Sequence, residues 1–220
     1  IDYIFYVTAH EIAHQWWGHQ VLPARTPGSQ FLTETLAEFG AYRVAQQRPA
    51  FDSSAARQRA RATFLTARRS AKSAEPALSS VQSEPYVAYA KGMLVMSELQ
   101  RLLGEAQLDA LLGSWFDAQN AGAAGPAVAD TLIEAIIEAT PQERQSYVQS
   151  LLLDTTLPSV SITASGTTRD VDGAWHTRLC LDAKLGRATS VPIDVELQQI
   201  DSSHRNAAPV VVARSQVWLS

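Results

Sequence analysis

The sequence predicts a mainly α-helical domain over residues 1–156 followed by a small all-β, sandwich-like domain over residues 157–220. Three observations predict it. Pro-free segments with apolar residues at helical spacing fill the first two-thirds of the chain. Near Leu157-Pro158 the apolar period changes from about three and a half residues to two. Beyond that point Asp172-Gly173, between two alternating segments, is a strong hairpin signal.

In order, helices are expected over Tyr6–Gln20 and Phe31–Gln47, the second ended by Pro49, which cannot continue a helix comfortably. Ala55–Ala71 is rich in Ala and Arg and strongly helix-forming. Ser73–Pro85, with Pro76, Pro85 and several serines, reads as a loop. Helical patterning returns over Tyr89–Leu103 and Glu105–Gln119, and Ala121–Pro126 reads as a flexible connection. Thr140-Pro141-Gln142-Glu143 has the form of a capping box opening a helix to about Leu153. In the tail, Val160 and Ile162 alternate with Ser and Thr. Trp175, Thr177, Leu179 and Leu181 share one face, Ile193, Val195 and Leu197 another, and Val210–Val212 is a further short strand.

Composition narrows the function. The 220 residues carry a net charge of -4, with 46% hydrophobic and 18% charged residues, which gives no reason to expect nucleic acid as a partner. Cys180 is the single cysteine, so no intrachain disulfide can form, and on an alternating strand it needs no special role. The longest apolar runs are far too short to cross a bilayer. Six cations between Ser53 and Ser73 (Arg57, Arg59, Arg61, Arg68, Arg69 and Lys72), with no acid among them, read first as a solvated basic face and second as a contact for anionic lipid or an acidic partner.

The chemistry is concentrated at the start. His10-Glu11-Ile12-Ala13-His14 places two imidazoles one helical turn apart on one face, the spacing that lets both reach one tetrahedral zinc ion. Glu11, between them in angle, can contact a zinc-bound water as general base. A third ligand is needed. The metzincin pattern would require glycine at position 17 and histidine at position 20, where the chain has Trp17 and Gln20. A gluzincin needs a glutamate on a second helix, and Phe31-Leu32-Thr33-Glu34 supplies it after a stretch broken by Pro23, Pro27 and Gly28. Glu34 is therefore assigned to the metal. Glu38, one turn on, is either a carboxylate that orients a ligand histidine or a solvated helix residue. His19, on a different face, is expected to be structural or to support a ligand rather than bind metal. Core packing is expected of Trp16 and Trp17, although one of them could line the site.

HEIAHQWWGHQ followed by FLTETLAEFGAY resembles the aminopeptidase N, or membrane alanyl aminopeptidase, family of gluzincins over most of residues 1–160. Two departures stand out. Nineteen residues, Gln15 to Thr33, separate the second histidine from the ligand glutamate where the family usually has eighteen, and Thr33 and Thr35 replace its usual Asn and Gly. Both features are similar to a bacterial branch related to peptidases fused to ABC-transporter-type permease segments.

The resemblance implies a thermolysin-like catalytic subdomain, one Zn2+, a peptide substrate, and a membrane-associated full-length protein, through segments outside this chain, on a side of the membrane left open. Tyr89-Ala90-Lys91-Gly92 matches the family's Y-x-K-G, whose tyrosine donates to the oxyanion. Tyr86 is the alternative, and Lys91 reads as structural. A helix beginning so close to a metal motif is expected to belong to a longer protein. The family's upstream Gly-x-Met-Glu-Asn segment, which recognises the substrate's free amino group, is not in these residues, so the chain alone is expected to be weakly active or inactive and to hold zinc loosely. The competing expectation is a degenerate peptidase fold serving as a binding or coupling module of a transporter. A related hydrolase acting at the same zinc site on a non-peptide substrate is a further alternative.

Overall fold

In the computed structural model, residues 3–121, 125–186, 188, 190–199 and 210–219 are described. The chain divides into two compact units, Ile1–Thr155 and Thr156–Ser220.

The first unit is helical among its described residues. Helix α1, Tyr3–Ala13, ends seven residues earlier than its apolar pattern suggests. The chain then closes a tight loop: Gly18 N donates to Val21 O (3.1 Å) and Val21 N to Trp16 O (2.9 Å). Gly18 takes φ +113°, which L side chains rarely adopt, so this loop after α1 calls for a glycine there. Residues Phe31–Thr35 form a π-helical segment that runs directly into α2, Leu36–Gln46. Helix α3, Ser53–Ser70, begins where the Asp52 carboxylate accepts from Ala55 N at 2.9 Å, an N-cap.

The expected loop after α3 contains a 3-10 turn at Leu78–Ser80. A second π-helical segment, Tyr86–Lys91, precedes α4, Gly92–Leu103. Helical structure therefore starts at Tyr86, three residues before the expected Tyr89, and becomes α-helical only at Gly92. Helix α5 covers Glu105–Asn120. Residues 122–124 of the expected Ala121–Pro126 connection lie outside the described residues.

Helix α6, Ala129–Ala139, was not foreseen, yet it places Leu132, Ile133 and Ile136 in the core. Its presence also undoes the capping box. Thr140 Oγ1 donates backward to Ile136 O (2.8 Å), closing α6, and α7, Gln142–Leu153, starts behind Pro141 with no side-chain cap. A hydroxyl at a helix junction serves whichever end it reaches, and here the preceding helix has it. Residues from Val21 to Leu152 make one continuous apolar cluster, centred on such fully buried side chains as Leu32, Leu36, Met96, Leu99 and Leu108.

In the second unit, β1, Ser159–Arg169, pairs antiparallel with β2, Trp175–Lys184, across the expected turn. Gly173 has φ +85°, and the Asp170 carboxylate accepts from Asp172 N and Ala174 N. Strand β3, Val191–Gln199, pairs antiparallel with β4, Val210–Leu219, which is much longer than the expected Val210–Val212. Among the described residues these form two separate two-stranded antiparallel sheets. All of β1 is exposed, Ile162 to 65%, so its alternation of apolar and polar residues is not accompanied by burial. A two-stranded ribbon has no second layer of its own to cover either face.

Candidate metal centre

Two helices and two π segments bring the site together. On α1, Tyr6 and His10 lie one turn apart on one face, and His14 follows in the first residue beyond the helix. Glu34 lies in the first π segment, Glu38 in α2 and Tyr89 in the second π segment. The two π segments pack together, Thr35 Oγ1 donating to Ala88 O at 2.6 Å. Gly92 makes the approach possible, because a Cβ there would lie 2.5 Å from Thr35 Oγ1. Single-turn π geometry inside helices is frequent at functional sites. Nothing in the composition of FLTET or YVAYAK marks it in advance.

His10 Nε2 lies 3.1 Å from His14 Nε2, and Glu34 Oε2 lies 3.5 Å from each. Among the described residues these three form a group of metal-ligating side chains whose ligand atoms all lie within 4.8 Å of one another. The outer ring nitrogens explain the arrangement. His10 Nδ1 faces Glu38 Oε2 at 3.0 Å, and His14 Nδ1 faces the Trp17 carbonyl at 3.0 Å. A carboxylate and a carbonyl only accept, so both Nδ1 atoms carry the hydrogen. Neutral rings then turn both Nε2 lone pairs toward each other and toward a carboxylate oxygen. Three electron-rich atoms around one point call for a cation. Two imidazole nitrogens and one carboxylate oxygen suit zinc, with a position left for water or substrate.

Without a metal, a proton fills this role. Burial lowers the pKa of His10, but hydrogen bonds to Glu34 and Glu38 and their charges outweigh it and hold the value at about 9. The hydrogen bond with His10 draws the Glu34 carboxyl below its ordinary value; burial opposes this, and the hydrogen bond from Tyr89 adds to it.

Tyr89, 37% exposed, donates its hydroxyl to Glu34 Oε2 at 2.5 Å, and its ring stacks on His10 with centroids 5.5 Å apart. Burial, then the hydrogen bond to Glu34, push its pKa well up, and the charges of Glu34, Glu38 and Glu11 add to this. The hydroxyl thus stays a donor throughout the neutral range. Glu11 is exposed on α1 beside His10.

The structure brings together His10, His14, Glu34, Glu38 and Tyr89. Glu38 is no solvated carboxylate: Oε2 meets His10 while Oε1 accepts from Tyr6 Oη at 2.9 Å. Tyr6 escaped the sequence reading. The available signal was its place four residues before His10, on the same helical face. Tyr86 is turned away onto Phe64, with ring centroids 6.1 Å apart. His19 is exposed and outside the cluster. Trp16 is 46% exposed rather than packed in the core, because α1 ends before reaching it. Trp17 meets Phe116 edge-on at 5.7 Å. The basic stretch of α3 is not wholly solvated either: Arg57 donates to Tyr42 Oη, and Arg68 pairs with Glu75.

A helical domain that presents two histidines and one carboxylate to a common point is suited to hold a divalent metal, as metallopeptidases do. Residues 1–154 match the model of the Peptidase family M1 domain, and the chain belongs to that family. The fold is also similar to the crystal structure of a glutamate-to-alanine mutant of an M1 zinc metallopeptidase from Deinococcus radiodurans, bound to a Tyr-Ser-Ala substrate. The match has a TM-score of 0.55 and 22% identity, and it covers 70% of this chain. The chain spans 34% of the length of that structure's chain. No curated protein sequence matches. Among the described residues no helix is long and apolar enough to cross a membrane.

Proposed function

We propose that this chain carries the zinc-binding catalytic helices of an aminopeptidase with a thermolysin-like catalytic subdomain, in which His10, His14 and Glu34 hold one Zn2+, Glu11 is the general base and Tyr89 the oxyanion donor. The observation that carries the reading is the convergence of two imidazole lone pairs and one carboxylate oxygen, each ring fixed from behind by its Nδ1 hydrogen bond.

Zinc bound there would supply Lewis acidity toward the scissile carbonyl and would make a bound water acidic near neutral pH. The remaining work falls to side chains. Glu11 accepts the proton of the attacking water and passes it to the leaving amine. The Tyr89 hydroxyl, kept protonated by its surroundings, donates to the carbonyl oxygen as negative charge develops on it. Glu38, held by Tyr6, fixes the orientation of His10 and strengthens it as a ligand, while the Trp17 carbonyl does the same for His14.

The peptide bound to the Deinococcus radiodurans relative supports a peptide as substrate. The resemblance to permease-fused peptidases supports placing the full-length protein at a membrane through other segments. The test uses the full-length protein. Glu11→Gln should keep one zinc per chain by elemental analysis and lower kcat on aminoacyl anilides by about 100- to 10,000-fold, with N-acetylated substrates inert. Wild-type turnover by Glu11→Gln, or undiminished zinc in Glu34→Ala, would end this reading.

A further inference from the structure

Beneath the second π segment lies a buried charged cluster that the proposed chemistry leaves unused. Lys91, 6% exposed, donates to Glu75 Oε1 at 2.8 Å and to the Asp154 carbonyl at 3.0 Å. Glu75 Oε2 is 3.2 Å from Arg68 Nε, and Arg68 Nη2 donates to the Thr155 carbonyl at 2.8 Å. The Lys91 ammonium also lies 6.0 Å from the Phe64 ring centroid. The cluster thus ties together α3, the loop after it, the residues that follow α7, and the segment that bears Tyr89.

A lysine buried for stability alone would be a poor choice. Desolvating an ammonium and a carboxylate costs about as much as their attraction returns, so net stability is a weak reason for such a pair. The cluster is not fully satisfied either: Tyr86 Oη and Arg68 Nη1 are buried without a hydrogen-bond partner. Tyr89, by contrast, needs fixing. It lies two residues from Lys91, in a six-residue π segment with no side-chain cap at its start. On one side that segment is held by Thr35 through Ala88 O. On the other, Lys91 reaches into the interior while Tyr89 reaches the metal centre.

We propose that Lys91, clamped by Glu75 and the Asp154 carbonyl, is a positioning residue that sets where the Tyr89 hydroxyl stands over the metal centre. The inference rests on the oxyanion role of Tyr89 given above, and a double-mutant cycle in the full-length protein separates the two. In the wild-type background, Tyr89→Phe should lower kcat by about 100- to 1,000-fold. Lys91→Met should lower kcat by about tenfold or more, with KM within about twofold and zinc content unchanged, and Lys91→Arg should recover most of the loss. In the Lys91→Met background, Tyr89→Phe should cost at least about tenfold less than in the wild type, because coupled residues are not additive.

Effects that simply multiply would overturn the positioning role and leave the catalytic reading standing. A silent Tyr89→Phe in the wild type would overturn both. Should Lys91→Met fail to fold, Glu75→Gln, which keeps the volume and weakens the clamp, takes its place in the same cycle with the same criteria.

Discussion

His10 is placed between two carboxylates, and its protonation governs how the metal-free centre behaves with pH. Its pKa is raised from 6.5 to about 9 by Glu34 and Glu38 against the opposing effect of burial. The bound proton favours the metal-free fold fully below pH 6.5, and that contribution fades as pH rises through about 9. A metal must displace this proton, so zinc and protons compete. Metal-free protein should therefore lose thermal stability between pH 6.5 and about 9 while the shift produced by saturating zinc grows over the same window. Thermal unfolding with and without zinc across that range measures it, and a zinc shift independent of pH would contradict the assignment. At the same scale, Tyr6 shows how a neighbour can matter without touching metal. Burial, and then the Glu38 charge, raise its pKa, so its hydroxyl remains a donor that holds the Glu38 carboxylate in place.

Among the elements, the two π segments decide the geometry. Glu34 and Tyr89 are each the fourth residue of a π segment, and the first segment ends at Thr35 against Gly92, which directly follows the second. A methyl group at Gly92 would lie 2.5 Å from Thr35 Oγ1 and 2.6 Å from its Cγ2. Gly92→Ala should destabilise the chain by about 1–3 kcal/mol in urea unfolding, the usual range for overpacking. In a Thr35→Ala background the same change should cost at least about 1 kcal/mol less, since both close atoms are gone. Equal costs in the two backgrounds would mean that the segments separate more easily than their packing suggests.

On the scale of the whole molecule, the site and the apolar cluster both lie inside the first unit. A chain ended at Leu157 should fold and bind zinc with a Kd within about twofold of the longer form, as calorimetric titration would measure. Loss of binding on that truncation would show that the second unit supports the metal centre. Helix α6 belongs to the core it helps to build: Ile136 is fully buried, and Ile136→Ala should cost about 2–5 kcal/mol by denaturant unfolding. A cost near zero would show that α6 adds little to the core.

The sequence by itself determined what depends on local spacing. Two histidines four residues apart must share a helical face, Glu34 after a broken stretch must lie on a second element, and Asp172-Gly173 must turn. The histidine pair and the turn are relations within a few residues, where backbone geometry leaves little choice, and Glu34 was reached by residue type and the breakers before it. Tertiary structure decided the rest. It set where α1 stops, that Thr140 closes α6 instead of opening α7, that Glu38 and Tyr6 together hold His10, and that Lys91 reaches a glutamate sixteen residues away. Each of these depends on which partner from elsewhere in the chain arrives within hydrogen-bonding distance, and residue spacing along one segment does not encode that distance.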